Sequence, residues 1–149
     1  MTADAERARK FLKELLVLNS KMEINRLDRD VVFNKAQQCG SISTEERVQT
    51  SPRGDALVMA VAELDRLDNE YACYAMEYFS VRKEAGEIIC TLNPTYQKVL
   101  TMKYFIGMNL RTISETTHYS YQYTRDLHRL ALDEFGKKMK DPTASYTEM

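Results

Sequence analysis

The sequence predicts an all-α protein, a long coiled-coil-like helical hairpin followed by a three-helix unit that contains a helix-turn-helix. Three observations carry that reading. Leu57, Ala60, Leu64, Leu67, Tyr71, Tyr74, Tyr78, Val81, Ala85, Ile88 and Leu92 alternate steps of three and four residues with no polar interruption, which keeps one helix face apolar over about five heptads. No Pro or Gly interrupts the chain between Asp4 and Cys39. Between Asn109 and Leu132 two short helical patterns follow each other, each opened by a residue suited to capping a helix.

Taken in order, the first helix runs from Asp4 to Cys39, where Phe11, Leu15, Leu18 and Met22 step by four, three and four residues. The apolar pattern then shifts phase to Ile24, Leu27 and Val31, and Gly40 supplies a stop. Residues 40–53 are rich in Ser and Thr, contain Pro52 and read as a loop. The second long helix spans Asp55 to Leu92. At about 1.5 Å per residue each long helix exceeds roughly 50 Å, and their similar length predicts antiparallel pairing. Tyr71 and Tyr74 are bulky for a two-stranded seam and point to a broader bundle or a dimer.

Asn93 caps a third helix with Pro94 in its first position, where the missing N–H costs nothing. Tyr96, Val99, Leu100 and Tyr104 mark its inner face, and Gly107 ends it. Asn109 caps the next helix, whose Leu110, Ile113 and Thr117 face inward. Ser120 caps the last one, its hydroxyl accepting from the N–H of Gln122 or Tyr123. Thr124, Leu127, Ala131 and Phe135 form its buried stripe. The expected organisation is a hairpin over 1–93 with the loop 40–53, a helix-turn-helix domain over 94–140, and a flexible tail over 141–149. A fragment starting near Thr91 is expected to keep helical structure with marginal stability.

With 44% apolar and 29% charged residues the chain has the composition of an ordered soluble protein. No apolar run approaches the roughly 20 residues that span a bilayer, and the N-terminal residues lack an apolar signal core, so a cytoplasmic location without membrane attachment is expected. Cys39, Cys73 and Cys90 are widely spaced in an odd number and read as reduced, partly buried thiols. His118 and His128 have no acidic or cysteine partner at ligand spacing, and neither a glycine-rich phosphate loop nor a nucleophile elbow is present. These features argue for binding rather than catalysis, with no catalytic residue, metal or cofactor expected.

The net charge of −1 hides a strong division. Residues 54–93 hold three Lys/Arg against eight Asp/Glu, whereas residues 94–140 hold eight against four. The segment with the helix-turn-helix is therefore basic, as phosphate attraction requires. The exposed face of its last helix carries Tyr121, Gln122, Arg125, Asp126 and Arg129. Arg125 and Gln122 suit base edges in a major groove, and Lys103, Arg111, Ser120 and Arg129 suit phosphates. Of the neighbouring tyrosines, Tyr119 is expected in the core and Tyr121 at the contact surface.

The run Lys98-Val-Leu-Thr-Met-Lys-Tyr-Phe, with Leu110-Arg-Thr-Ile-Ser-Glu and the segment from Ser120 to Leu132, resembles region 4 of bacterial sigma factors. With the long helical part before it, the whole chain is similar to small phage regulators of the RinA and ArpU type, which act on late-gene transcription. The resemblance implies DNA contacts at Tyr121, Gln122, Arg125 and Asp126, with Arg111 near the backbone. Departures are His118 at the turn position usually held by Gly, and Thr117 and Thr124 where aliphatic residues normally pack. The expected function is sequence-specific transcriptional regulation of phage or prophage genes in a bacterial host cell. Double-stranded DNA is the main partner, with RNA polymerase and a second copy of the chain as further ones. Two alternatives share the same elements: a small terminase-like subunit for DNA packaging, and a protein-only adaptor for polymerase or sigma factor.

Overall fold

The structure, a computed structural model, describes residues 2–40 and 52–139. The fold is all-α. The elements are α1 (Ala3–Gly40), α2 (Pro52–Ile89), α3 (Pro94–Leu100), a π-helical continuation of α3 (Thr101–Ile106), α4 (Leu110–Thr117) and α5 (Tyr121–Lys138). Most of the expected loop and the whole expected tail lie outside the described residues. No described helix is long and apolar enough to cross a membrane.

The chain divides into two compact units, one made of Met1–Val17 with Tyr78–Met149, the other of Leu18–Glu77. The unit that holds the helix-turn-helix therefore includes the first turns of α1 and the last turns of α2. Its core gathers Ala5, Ala8, Leu12 and Leu15 from α1, Ala85 and Ile89 from α2, and Leu92 from the turn after α2. To these the later helices add Val99, Leu100, Tyr104, Ile113, Leu127, Ala131, Leu132 and Phe135. Phe11 and Phe135 pack with ring centroids 6.0 Å apart, and Arg7 Nη2 donates to the carbonyl of Gly136 at 2.9 Å. On the other side, the Arg82 guanidinium lies 5.1 Å from the centre of the Phe105 ring. Lys138 Nζ donates to the carbonyl of Thr91 at 2.8 Å.

Asn93 caps α3 as expected, its side chain accepting from Thr95 N at 3.0 Å. The wider π turns over Thr101–Ile106 have no signature in the sequence. They end on Gly107, whose φ of 89° places it in the left-handed region that glycine enters without steric cost.

In the second unit α1 and α2 run antiparallel, with Lys21 over the Tyr74 ring and Asn25 Nδ2 donating to the carbonyl of Leu67 at 3.0 Å. Arg29 and Asp68 form an ion pair at 2.8 Å. The inner strip of α1 does not shift phase to Ile24, Leu27 and Val31, all of which are more than half exposed. It continues the earlier register through Met22, Asn25, Arg29, Val32 and Ala36, which are buried or half-buried. Two polar residues stand in the strip, so a purely apolar pattern cannot follow it. On α2, Leu57 and Tyr71 are likewise exposed, because a helix facing one partner buries only a narrow stripe. Cys73 and Cys90 are free thiols and exposed rather than partly buried; the side chain of Cys39 lies outside those the structure describes.

Candidate nucleic-acid interface

Local hydrogen bonds define both ends of the turn pair. The Asn109 side chain accepts from Thr112 N at 2.8 Å, and Ser120 Oγ accepts from Tyr123 N at 3.1 Å. Each satisfies a backbone donor that the first helical turn leaves without an internal partner. Between the helices His118 has φ 60° and ψ 23°, the left-handed conformation that the turn demands and that His enters more readily than branched residues.

The two threonines that depart from an aliphatic pattern are accommodated by the backbone. Thr117 Oγ1 donates to the carbonyl of Ile113 at 2.7 Å, and the fully buried Thr124 donates to the carbonyl of Ser120 at 3.0 Å. Neither the half-buried Thr117 hydroxyl nor the buried Thr124 hydroxyl is left unsatisfied, which removes the main cost of placing them at the core. Ile113 and Ser114 from α4 pack inward with the α5 stripe Thr124, Leu127, Ala131 and Phe135, to which Leu132 and Gly136 are added.

The exposed face of α5 falls into two groups. In the first, Tyr121 is the centre: the guanidinium carbons of Arg111 and Arg125 each lie 5.8 Å from its ring centroid. The ring is 46% exposed, and both arginines are exposed. An aromatic face attracts a guanidinium electrostatically, and the contact restricts a flexible side chain before any ligand arrives. Neither arginine takes part in an ion pair among the described residues, so each retains its planar donor edge.

In the second group Asp126 is central. Its carboxylate lies 3.7 Å from Arg129 Nη2 and accepts a long contact of 3.5 Å from Gln122 Nε2. Asp126 thus holds two donors of the same face. Gln122, Arg125, Asp126 and Arg129 line a shallow cavity of about 230 Å³ together with Leu110, His128 and Leu132. Ser120 uses an oxygen lone pair in the cap, and its hydroxyl proton remains free to donate.

Lys103 lies elsewhere. It is half-buried on the π-helical segment next to Tyr104, whose hydroxyl is 2.8 Å from His128 Nε2. Burial, then the positive charges of Lys13 and Arg9, hold the Lys103 ammonium below the usual lysine range. Burial followed by Lys103 and Arg9 lowers His128 to about 4, and burial raises Tyr104 to about 12. At neutral pH the Tyr104–His128 pair is therefore uncharged within a basic environment. The sequence reading missed Arg9, Lys13 and His128, because no local pattern links positions so far apart in the chain.

Tyr119 is not in the core. It is 37% exposed and meets Tyr123 edge-on at 5.1 Å, so that both rings widen the aromatic surface at the start of α5. Tyr119 follows the left-handed His118 in the turn between α4 and α5, a backbone position that spacing does not reveal.

Among the described residues no group of three His, Cys, Asp or Glu side chains is arranged to hold a metal ion. No family model, curated protein or solved structure matches the chain.

Proposed function

We propose that the protein is a sequence-specific DNA-binding regulator of transcription, of the phage late-gene kind that its resemblance implies. The exposed Arg111–Tyr121–Arg125 stack at the N-terminal end of α5 is the observation that carries this reading. In a helix-turn-helix the N-terminal residues of the second helix enter the major groove, so a pre-oriented arginine there meets base edges. Arg125 and Gln122 read bases; Arg111, Ser120, Arg129 and Lys103 hold phosphates. Asp126 keeps Gln122 and Arg129 in place and repels misplaced phosphates.

The hairpin unit supplies self-association in this proposal. Ile24, Leu27 and Val31 on α1 and Val58, Met59 and Val61 on α2 are each more than half exposed, which is much apolar surface for two helices to leave in water. A dimer would join two copies of α5 in one molecule, which raises the effective concentration of the second reader.

The test is enrichment of duplexes from a random pool by the full-length protein, with light scattering on the same preparation. Enrichment of one motif and a dimer mass support the regulator. A ring of eight or more subunits supports the packaging subunit instead, and no enrichment at low salt supports the protein-only adaptor.

A further inference from the structure

The buried stripe of α1 in the helix-turn-helix unit consists of Ala5, Ala8, Leu12 and Leu15. With 3.6 residues per turn, side chains on its two edges point to different neighbours. On one edge Asp4 and Phe11 meet α5 at Gly136 and Phe135. On the opposite edge stand Arg9 and Lys13, one turn apart and both exposed. The charge of Arg9 reaches both Tyr104 and His128, and the charges of Lys13 and Arg9 reach Lys103.

Arg9 and Lys13 thus present two cations on one exposed edge of α1, in the same compact unit as Lys103, whose ammonium their charges influence. Among the described residues none of the three takes part in an ion pair, although nine pairs involving other residues are present. Like charges gathered without a counter-ion raise the energy of the free protein, and such clusters mark surfaces that meet an anion. The cluster is also continuous with the α5 face. His128, bonded to Tyr104 on one side, lines the same cavity as Gln122, Arg125 and Arg129 on the other.

We propose that Arg9, Lys13 and Lys103 form a second phosphate-binding site, which grips the DNA backbone beside the stretch of groove read by α5. The inference rests on the DNA-binding reading above. It assigns to the N-terminal turns of α1 a direct part in binding, outside the helix-turn-helix itself. Base contacts specify while phosphate contacts position, so this site governs affinity and salt dependence and leaves sequence preference untouched.

The experiment uses the full-length protein and a mixed-sequence duplex of about three helical turns, followed by fluorescence anisotropy over a range of salt concentrations. Arg9→Gln with Lys13→Gln should lower the slope of log affinity against log salt by roughly 2, since each phosphate contact contributes about 0.9. The motif enriched from a random pool should stay the same. Arg9→Lys with Lys13→Arg should restore the slope. Lys21→Gln with Lys35→Gln removes the same charge from the hairpin unit and should leave the slope near that of the unaltered protein. A wild-type slope in the Arg9/Lys13 double variant, or an equal loss in both charge-matched variants, overturns the second site while leaving DNA binding by α5 intact. An unaltered protein that binds no duplex at any salt overturns both readings together.

Discussion

The backbone of α1 touches α5 where Gly136 faces Asp4: a Cβ built on Gly136 would collide with the backbone carbonyl group of Asp4. Glycine inside a helix ordinarily costs about 1 kcal/mol relative to alanine. Here the missing side chain lets two helices approach with backbone in contact, and Arg7 closes the same point by donating to the Gly136 carbonyl. Gly136→Ala should therefore destabilise the protein, by about 1–3 kcal/mol, because a carbonyl group cannot yield as a flexible side chain does. Thermal melting checks this. A raised melting temperature would mean that helix propensity dominates and the helices do not pack as described.

Specificity should depend on Arg125 and general affinity on Arg129. Arg125→Ala should cost about 1–3 kcal/mol of specific binding and relax the preference at one base position, the loss expected for one bidentate guanine contact. Tyr121→Leu should produce a milder form of the same defect, since Arg111 and Arg125 lose the ring that orients them. Arg129→Ala should weaken all duplexes alike and flatten the salt dependence. Gel shifts at several salt concentrations, with the enriched duplex and a scrambled one, distinguish these outcomes.

The helix-turn-helix was legible because its determinants are local. Asn109 and Ser120 cap the helices three residues before the N–H groups they receive, and Ile113, Leu127, Ala131 and Phe135 repeat at helical spacing. The strip of α1 was legible only as far as it stayed apolar. At Asn25 and Arg29 it turns polar, the first bonding the Leu67 carbonyl and the second pairing with Asp68, and the pattern jumps to the exposed Ile24, Leu27 and Val31. Lys103 shows a third limit. Its basic charge made it a phosphate candidate, yet its neighbours Arg9, Lys13 and His128 come from other helices and are assembled only by tertiary packing.

Acidification should act through His128. Its folded-state value of about 4 lies below the ordinary 6.5, first because it is buried and then because Lys103 and Arg9 are close. The unfolded chain therefore binds a proton between these two values while the folded chain does not. From this group alone stability falls as pH drops from about 6.5 toward 4, by up to about 1.4 kcal/mol per pH unit, and is insensitive to pH above that window. His128→Gln can still meet the Tyr104 hydroxyl and has nothing to titrate. Urea denaturation at pH 7, 6 and 5 should show a gap between the two proteins that narrows on acidification. A constant gap would remove His128 as the source.

The last prediction concerns the fragment that begins near Thr91. Sequence spacing alone treats the helices beyond Pro94 as self-sufficient, but their core is closed by other parts of the chain. Phe135 packs on Phe11, Gly136 lies against Asp4, and Arg82 covers Phe105. Removing residues 1–90 would strip these contacts together with the cover from Ala8, Leu12, Leu15, Ala85 and Ile89. Each fully exposed large apolar side chain forfeits about 1.5–3 kcal/mol, and a fragment of under 60 residues has little stability to lose. Circular dichroism should show weak helicity with no cooperative melt. Adding a peptide of residues 1–17 in excess should raise the helicity in a saturable way, since it returns the α1 stripe that the fragment lacks. A fragment that melts cooperatively alone, with no response to the peptide, would show that α1 is an accessory to this unit rather than part of its core.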